Sequence, residues 1–126
     1  MEISYATLEP TYNTTLLVRT EVPRSAQASV AQLLLRSNPQ AEQVGFIEVP
    51  STRGARARLQ MMGGEFCGNA TMSLAALLAF EDGLAPGTTA ELPLEASGSS
   101  GVLSCRIQMG TDSCLGTVDM PLPERI

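Results

Sequence analysis

The chain contains no histidine and no tryptophan. Without imidazole there are no Ser-His or Cys-His catalytic pairs, no histidine-bearing zinc sites and no imidazole proton shuttle. Acid–base chemistry must therefore fall to thiols, carboxylates or amines. Basic residues are scarce too, eight Lys plus Arg against thirteen Asp plus Glu, for a formal charge of −5. Phosphate backbones are held by clustered cations, and so few, scattered along the chain, argue against a nucleic-acid surface. Arg53, Arg56 and Arg58 form the one local cluster, and their alternation along a strand-like run reads as a solvated face. The uncharged stretch 69–80 is only twelve residues long, too short to span a bilayer, so no membrane is expected. Cysteine numbers three, an odd count in a chain that begins Met-Glu-Ile without an apolar leader. These features favour a reducing, cytoplasmic setting.

The 126 residues are 44% hydrophobic, enough for a single domain over 1–126 with a core that requires neither metal nor disulfide. Ile3, Tyr5 and Thr7 alternate with polar neighbours, and Leu16 and Val18 follow the turn signal at 10–13. Two antiparallel strands fit this pattern. Ser25 is placed to cap a helix carrying Val30, Leu33 and Leu34, which ends before Ser37-Asn38-Pro39 because proline disfavours continuation. A strand over 43–49 with a hairpin partner over 55–62 is expected next, broken by Gly63-Gly64. The segment 69–80 has good helix formers and is apolar around nearly its whole circumference, which in a soluble protein implies a helix enclosed on most sides. Strand-like runs at 88–96, 101–109 and 114–120 complete the chain, and Ser97-Gly98-Ser99-Ser100-Gly101 reads as a flexible loop tip. Cys105 and Cys114 fall on neighbouring strands as small buried apolar groups. The expected architecture is α+β: a curved, mostly antiparallel sheet of about seven strands wrapped around a central apolar helix.

Cys67-Gly68-Asn69 stands where the Gly-rich turn runs into that helix. Unpaired backbone N–H groups and the positive pole of the peptide dipoles gather at a helix start, an environment that lowers a thiol pKa from about 8.5 to roughly 3.5–7.5. Cys67 is thus a candidate thiolate base. Glycine at 68 would let a ligand approach the backbone closely.

Gly63-Gly64-Glu65-Phe66-Cys67-Gly68-Asn69-Ala70 resembles the first catalytic-cysteine motif of the diaminopimelate epimerase superfamily, cofactor-independent amino-acid racemases and epimerases. Three further segments resemble that family in order and approximate spacing: Tyr12-Asn13-Thr14-Thr15-Leu16-Leu17-Val18, Glu42-Gln43 with its apolar strand, and Gly116-Thr117-Val118-Asp119-Met120-Pro121. The resemblance implies the amino-terminal half of a two-domain fold. It implies a reaction in which two cysteines flank the α-carbon, one as thiolate base and one as thiol acid, with no cofactor and no metal. It assigns Cys67 as the base on one face, the Gly68 and Asn69 amides to the substrate α-carboxylate, and Asn13 and Gln43 to polar contacts near the site.

The chain also departs from the family pattern. Met61 falls where the family places an Asn that reads the far end of the substrate, and Ala70-Thr71-Met72 replaces a Gly-x-Arg. Both changes disfavour diaminopimelate and favour a smaller or less polar amino acid. The second cysteine of the family lies in a second domain, and neither Cys105 nor Cys114 has its Gly-Thr-Gly neighbourhood. Three arrangements would complete the site: a longer polypeptide, a separate carboxy-terminal subunit, or a homodimer with two facing Cys67 thiols. The competing class is a non-catalytic amino-acid-binding or oligomerisation module of the same fold.

Overall fold

The structure is a computed structural model describing residues 5–8, 14–110 and 114–118. In chain order it comprises β1 (Tyr5–Leu8), β2 (Thr15–Val18), α1 (Arg24–Ser37), β3 (Gln43–Glu48), β4 (Ala57–Met61), α2 (Gly68–Glu81), β5 (Thr89–Ala96), β6 (Leu103–Met109) and β7 (Cys114–Val118). The class is α+β. The strands form one sheet in sequential order; β2–β3 and β4–β5 are parallel, and the other four neighbouring pairs are antiparallel.

A parallel pair needs a crossover, and the two helices supply them as β2–α1–β3 and β4–α2–β5. The β4 strand runs opposite to β2, yet both crossovers step the same way across the sheet. Connections of one hand must then use opposite faces, and the side chains divide accordingly. Leu16, Val18, Val44 and Phe46 join Val22, Ala31 and Leu34 beneath α1. Leu17, Leu59, Met61, Leu94 and Ile107 join Ala70, Leu74 and Ala75 of α2 on the other side. Period-two alternation along β2 feeds both clusters, which is why all four of its residues are buried.

Several expectations are corrected in detail. Ser25 does not cap α1: the N-cap position is Pro23, without a side-chain hydrogen bond. Proline supplies extended entry geometry, and Ser25 lies inside the first turn. Leu33 is 58% exposed, whereas Gln27 is buried and donates to the Val22 carbonyl (3.1 Å) and Glu48 Oε2 (2.8 Å). The buried stripe of the helix runs through Gln27, Ala31 and Leu34, the last two packed in the apolar cluster on the sheet and the first supplying a donor to Glu48 on β3. Arg24 adds two more bonds of 2.9 Å to that carboxylate. Hydrogen bonds from Arg24, aided by Gln27, hold the Glu48 carboxyl below its ordinary pKa despite partial burial.

The arginine cluster is not simply a solvated face. Arg58 lies between its register neighbours Glu48 and Glu95, 3.6 and 3.7 Å from their carboxylates. Arg56 makes a two-pronged contact with Asp82 at 2.8 and 2.6 Å. Arg19 pairs with Glu81. Acidic groups at a helix C-terminus oppose the helix dipole; these two arginines offset Glu81 and Asp82 and tie the end of α2 to the sheet.

Candidate active site

The site grows out of the end of β4. Past Met61 the chain turns at Gly63-Gly64, with the Gly64 N–H donating to the Met61 carbonyl at 2.9 Å, and crosses to α2. Cys67 is the N-cap of that helix, in extended conformation (φ −130°, ψ 110°), and its side chain makes no capping bond. Its carbonyl accepts the Thr71 N–H (3.0 Å) and hydroxyl (2.8 Å). The first amides of a helix, here Gly68 and Asn69, have no intrahelical acceptor, so an anion arriving at this end would meet donors and the positive end of the dipole.

Because the Cys67 side chain does not fold back onto its helix, it reaches the sheet. Its thiol donates to Gln43 Oε1 at 3.4 Å, within sulfur hydrogen-bond range, and packs against the apolar cluster under α2. Gln43 begins β3 on the same face as Gly45 and Ile47. Its Nε2 donates to Thr15 Oγ1 at 2.7 Å, and Thr15 is both the register partner of Gln43 and fully buried. A line of polar groups therefore runs from the buried start of β2 through the amide to the sulfur.

The loop that delivers Cys67 is gripped from β5. Ser97 is 2% exposed; its hydroxyl donates to the Glu65 carbonyl (2.7 Å) and accepts the Met61 N–H (3.0 Å), while its own N–H donates to the Leu59 carbonyl at 2.8 Å. The Glu65 side chain is exposed.

Of the residues singled out from the sequence, Cys67, Gly68, Asn69 and Gln43 lie together at the start of α2. Asn13 lies outside the described residues, as does the side chain of Cys114. Cys105 is buried in the core. Met61 is 1% exposed, packed beneath α2. Sequence reasoning missed Thr15 and Ser97. Strand pairing of β2 with β3 would have brought Thr15 opposite Gln43; Ser97 sits in a run whose composition gives no sign of burial. Among the described residues no group of three or more His, Cys, Asp or Glu could hold a metal, and no helix is long and apolar enough to cross a membrane. An open cavity of about 290 Å³ lined by Thr7, Thr14, Leu16, Ser37, Asn38, Pro39, Gln40 and Ala41 shares no residue with the cysteine site.

Known proteins resemble this chain along its length. It is 35% identical to a histidine racemase of Staphylococcus aureus over 126 residues, covering 98% of this chain and 44% of that protein. It is 37% identical to a histidine racemase of Fusobacterium nucleatum over 86 residues, 64% of this chain and 28% of that protein. The chain thus spans less than half the length of these relatives. The crystal structure of a methylitaconate-delta-isomerase shares the fold, with a TM-score of 0.63 at 9% identity over 90% of this chain and 62% of that one. Residues 2–126 match the family described as "Histidine racemase CntK N-terminal domain", and the chain belongs to that family.

Proposed function

We propose that this chain is the amino-terminal half of a cofactor-independent amino-acid racemase and that Cys67 is one of its two acid–base groups. The observation carrying this reading is the Cys67 sulfur at the start of α2, held 3.4 Å from Gln43, in a chain so similar to histidine racemases. The substrate α-carboxylate docks on the Gly68 and Asn69 amides, which places the α-carbon near the sulfur. Cys67 as thiolate takes the α-hydrogen as a proton; the C–H electron pair stays on carbon, stabilised by the bound carboxylate and the helix dipole. A thiol on the opposite face returns a proton to carbon, inverting it. Reversing the two roles runs the reaction backwards.

Gln43 orients the sulfur in both protonation states. Its carbonyl accepts from the thiol, and a half-turn of the amide would present Nε2–H to the thiolate while Oε1 accepts from the Thr15 hydroxyl, because hydroxyl and sulfur can each donate or accept. Asn13 contributes a further polar contact to the substrate. The opposing cysteine belongs to a second domain or subunit, a reading supported by the greater length of the relatives. The sheet and α2 then form one half of a two-domain fold in which the apolar helix is central. Histidine is the favoured substrate, by kinship with the named racemases.

Deuterium exchange at the α-carbon of L-histidine and a panel of other L-amino acids, in D2O with the intact protein, tests the proposal. Exchange is expected with histidine, and Cys67→Ser should lower its rate by at least about a hundredfold, the scale of losing a positioned general base. Exchange unaffected by Cys67→Ser refutes the role of the sulfur.

A further inference from the structure

The Gly-Ser run after β5 has the composition of a mobile tip, yet its first two residues are built into the floor of the loop that carries Cys67. Ser97 is buried and satisfied on both sides: it takes the N–H of Met61, where that loop leaves β4, and gives its proton to the carbonyl of Glu65, two residues before the cysteine. Gly98 adds a steric contact to this polar one. It has φ +75°, and a Cβ placed on it would lie 2.3 Å from the Phe66 nitrogen and 2.8 Å from the Glu65 carbonyl carbon. Those atoms are backbone and have no rotamer by which to escape. To reach ordinary contact at 3.4 Å the Phe66 backbone would have to retreat by about an ångström, and Cys67 is the next residue.

We propose that Ser97 and Gly98 are the positioning residues for Cys67, a two-point seat that sets where the sulfur stands relative to the start of α2 and to Gln43. The inference rests on the reading of Cys67 as an acid–base group. Proton transfer to and from carbon tolerates little misplacement, since an ångström can cost on the order of a hundredfold in rate. The seat explains why a serine and a glycine follow β5 and why the hydroxyl is turned inward.

The fold supplies its own control. Gly101 has the same φ of +75°, but a Cβ there would meet nothing within 4 Å. Gly98→Ala and Gly101→Ala therefore impose the same backbone strain, and only the first presses on the cysteine loop. In the intact protein, steady-state α-hydrogen exchange of L-histidine should show kcat reduced at least about tenfold in Ser97→Ala and Gly98→Ala, with KM changed less than about threefold and Gly101→Ala near wild type. Amide hydrogen exchange of residues 61–67, read by mass spectrometry without substrate, should accelerate in the same two variants and not in Gly101→Ala. Equal loss of kcat in both glycine variants, or wild-type amide exchange over 61–67 in Ser97→Ala and Gly98→Ala, overturns the seat. If the wild-type protein exchanges no amino acid, the racemase reading fails, while the amide-exchange comparison still decides whether the seat exists.

Discussion

Thr15→Val removes one oxygen from the line Thr15–Gln43–Cys67 while keeping the shape of a fully buried side chain. The 2.7 Å bond from Gln43 Nε2 then has no acceptor, and the amide loses the contact that fixes its rotation. A hydrogen bond of this kind contributes a net of about 0.5–1.5 kcal/mol. If that contribution orients the sulfur for proton transfer, it appears in the barrier, where 1.36 kcal/mol is a factor of ten. Thr15→Val is accordingly expected to lower kcat/KM for α-hydrogen exchange by about two- to thirteenfold. Thr15 touches Cys67 only through Gln43, so the second prediction is sharper. In a Gln43→Leu background, which is itself impaired, adding Thr15→Val should change kcat/KM by less than about twofold, because coupled residues are not additive. The assay is the double-mutant cycle in the intact protein at a temperature well below melting. Equal effects of Thr15→Val in both backgrounds would show that Thr15 acts elsewhere, and the polar line would lose its meaning.

Two further predictions concern the frame around the site. Gly45 lies on the α2 face of β3, and a Cβ there would sit 2.7 Å from Leu59 Cδ1 and 3.2 Å from Met61 Sδ, both in packed core; Gly45→Ala should destabilise by about 1–3 kcal/mol and lower the thermal midpoint by about 4–11 °C, and an unchanged or raised midpoint would refute the packing argument. Hydrogen bonds from Thr52, then from the Ser51 backbone, lower the Glu95 carboxyl from 4.5 to about 2 and pin the turn between β3 and β4. A carboxyl depressed on folding contributes stability above its unfolded pKa and loses it as pH falls, here from about 4.5 to about 2. An acid titration of the thermal midpoint should be flatter over that window in Glu95→Gln than in wild type; parallel curves would exclude Glu95 as a source of acid sensitivity.

Much of this protein is legible in its sequence, for reasons of local chemistry. A glycine turn followed by an uncharged run of helix formers has few outcomes other than a helix start at Cys67, and α2 begins one residue beyond it. Alternation at Leu16 and Val18 and the proline at 39 similarly marked β2 and the end of α1, since strand period and proline geometry act over a few residues. The absence of histidine already limited acid–base chemistry to other side chains.

Tertiary structure decided how Gln43, which the family resemblance places near the site, meets that sulfur, and it brought in neighbours that the sequence does not name. Gln43 reaches it, and Thr15 reaches Gln43, through the parallel register of β2 and β3, which the crossover α1 imposes and no local pattern encodes. Ser97 and Gly98 belong to a run whose composition speaks of flexibility, yet pairing of β4 with β5 brings them under the cysteine loop. Arg56 and Arg58, which read as part of a solvated face, became partners of Asp82, Glu48 and Glu95 for the same cause. Short-range chemistry names the reactive atom; long-range pairing chooses its neighbours, because contacts between residues tens of positions apart depend on the path of the whole sheet.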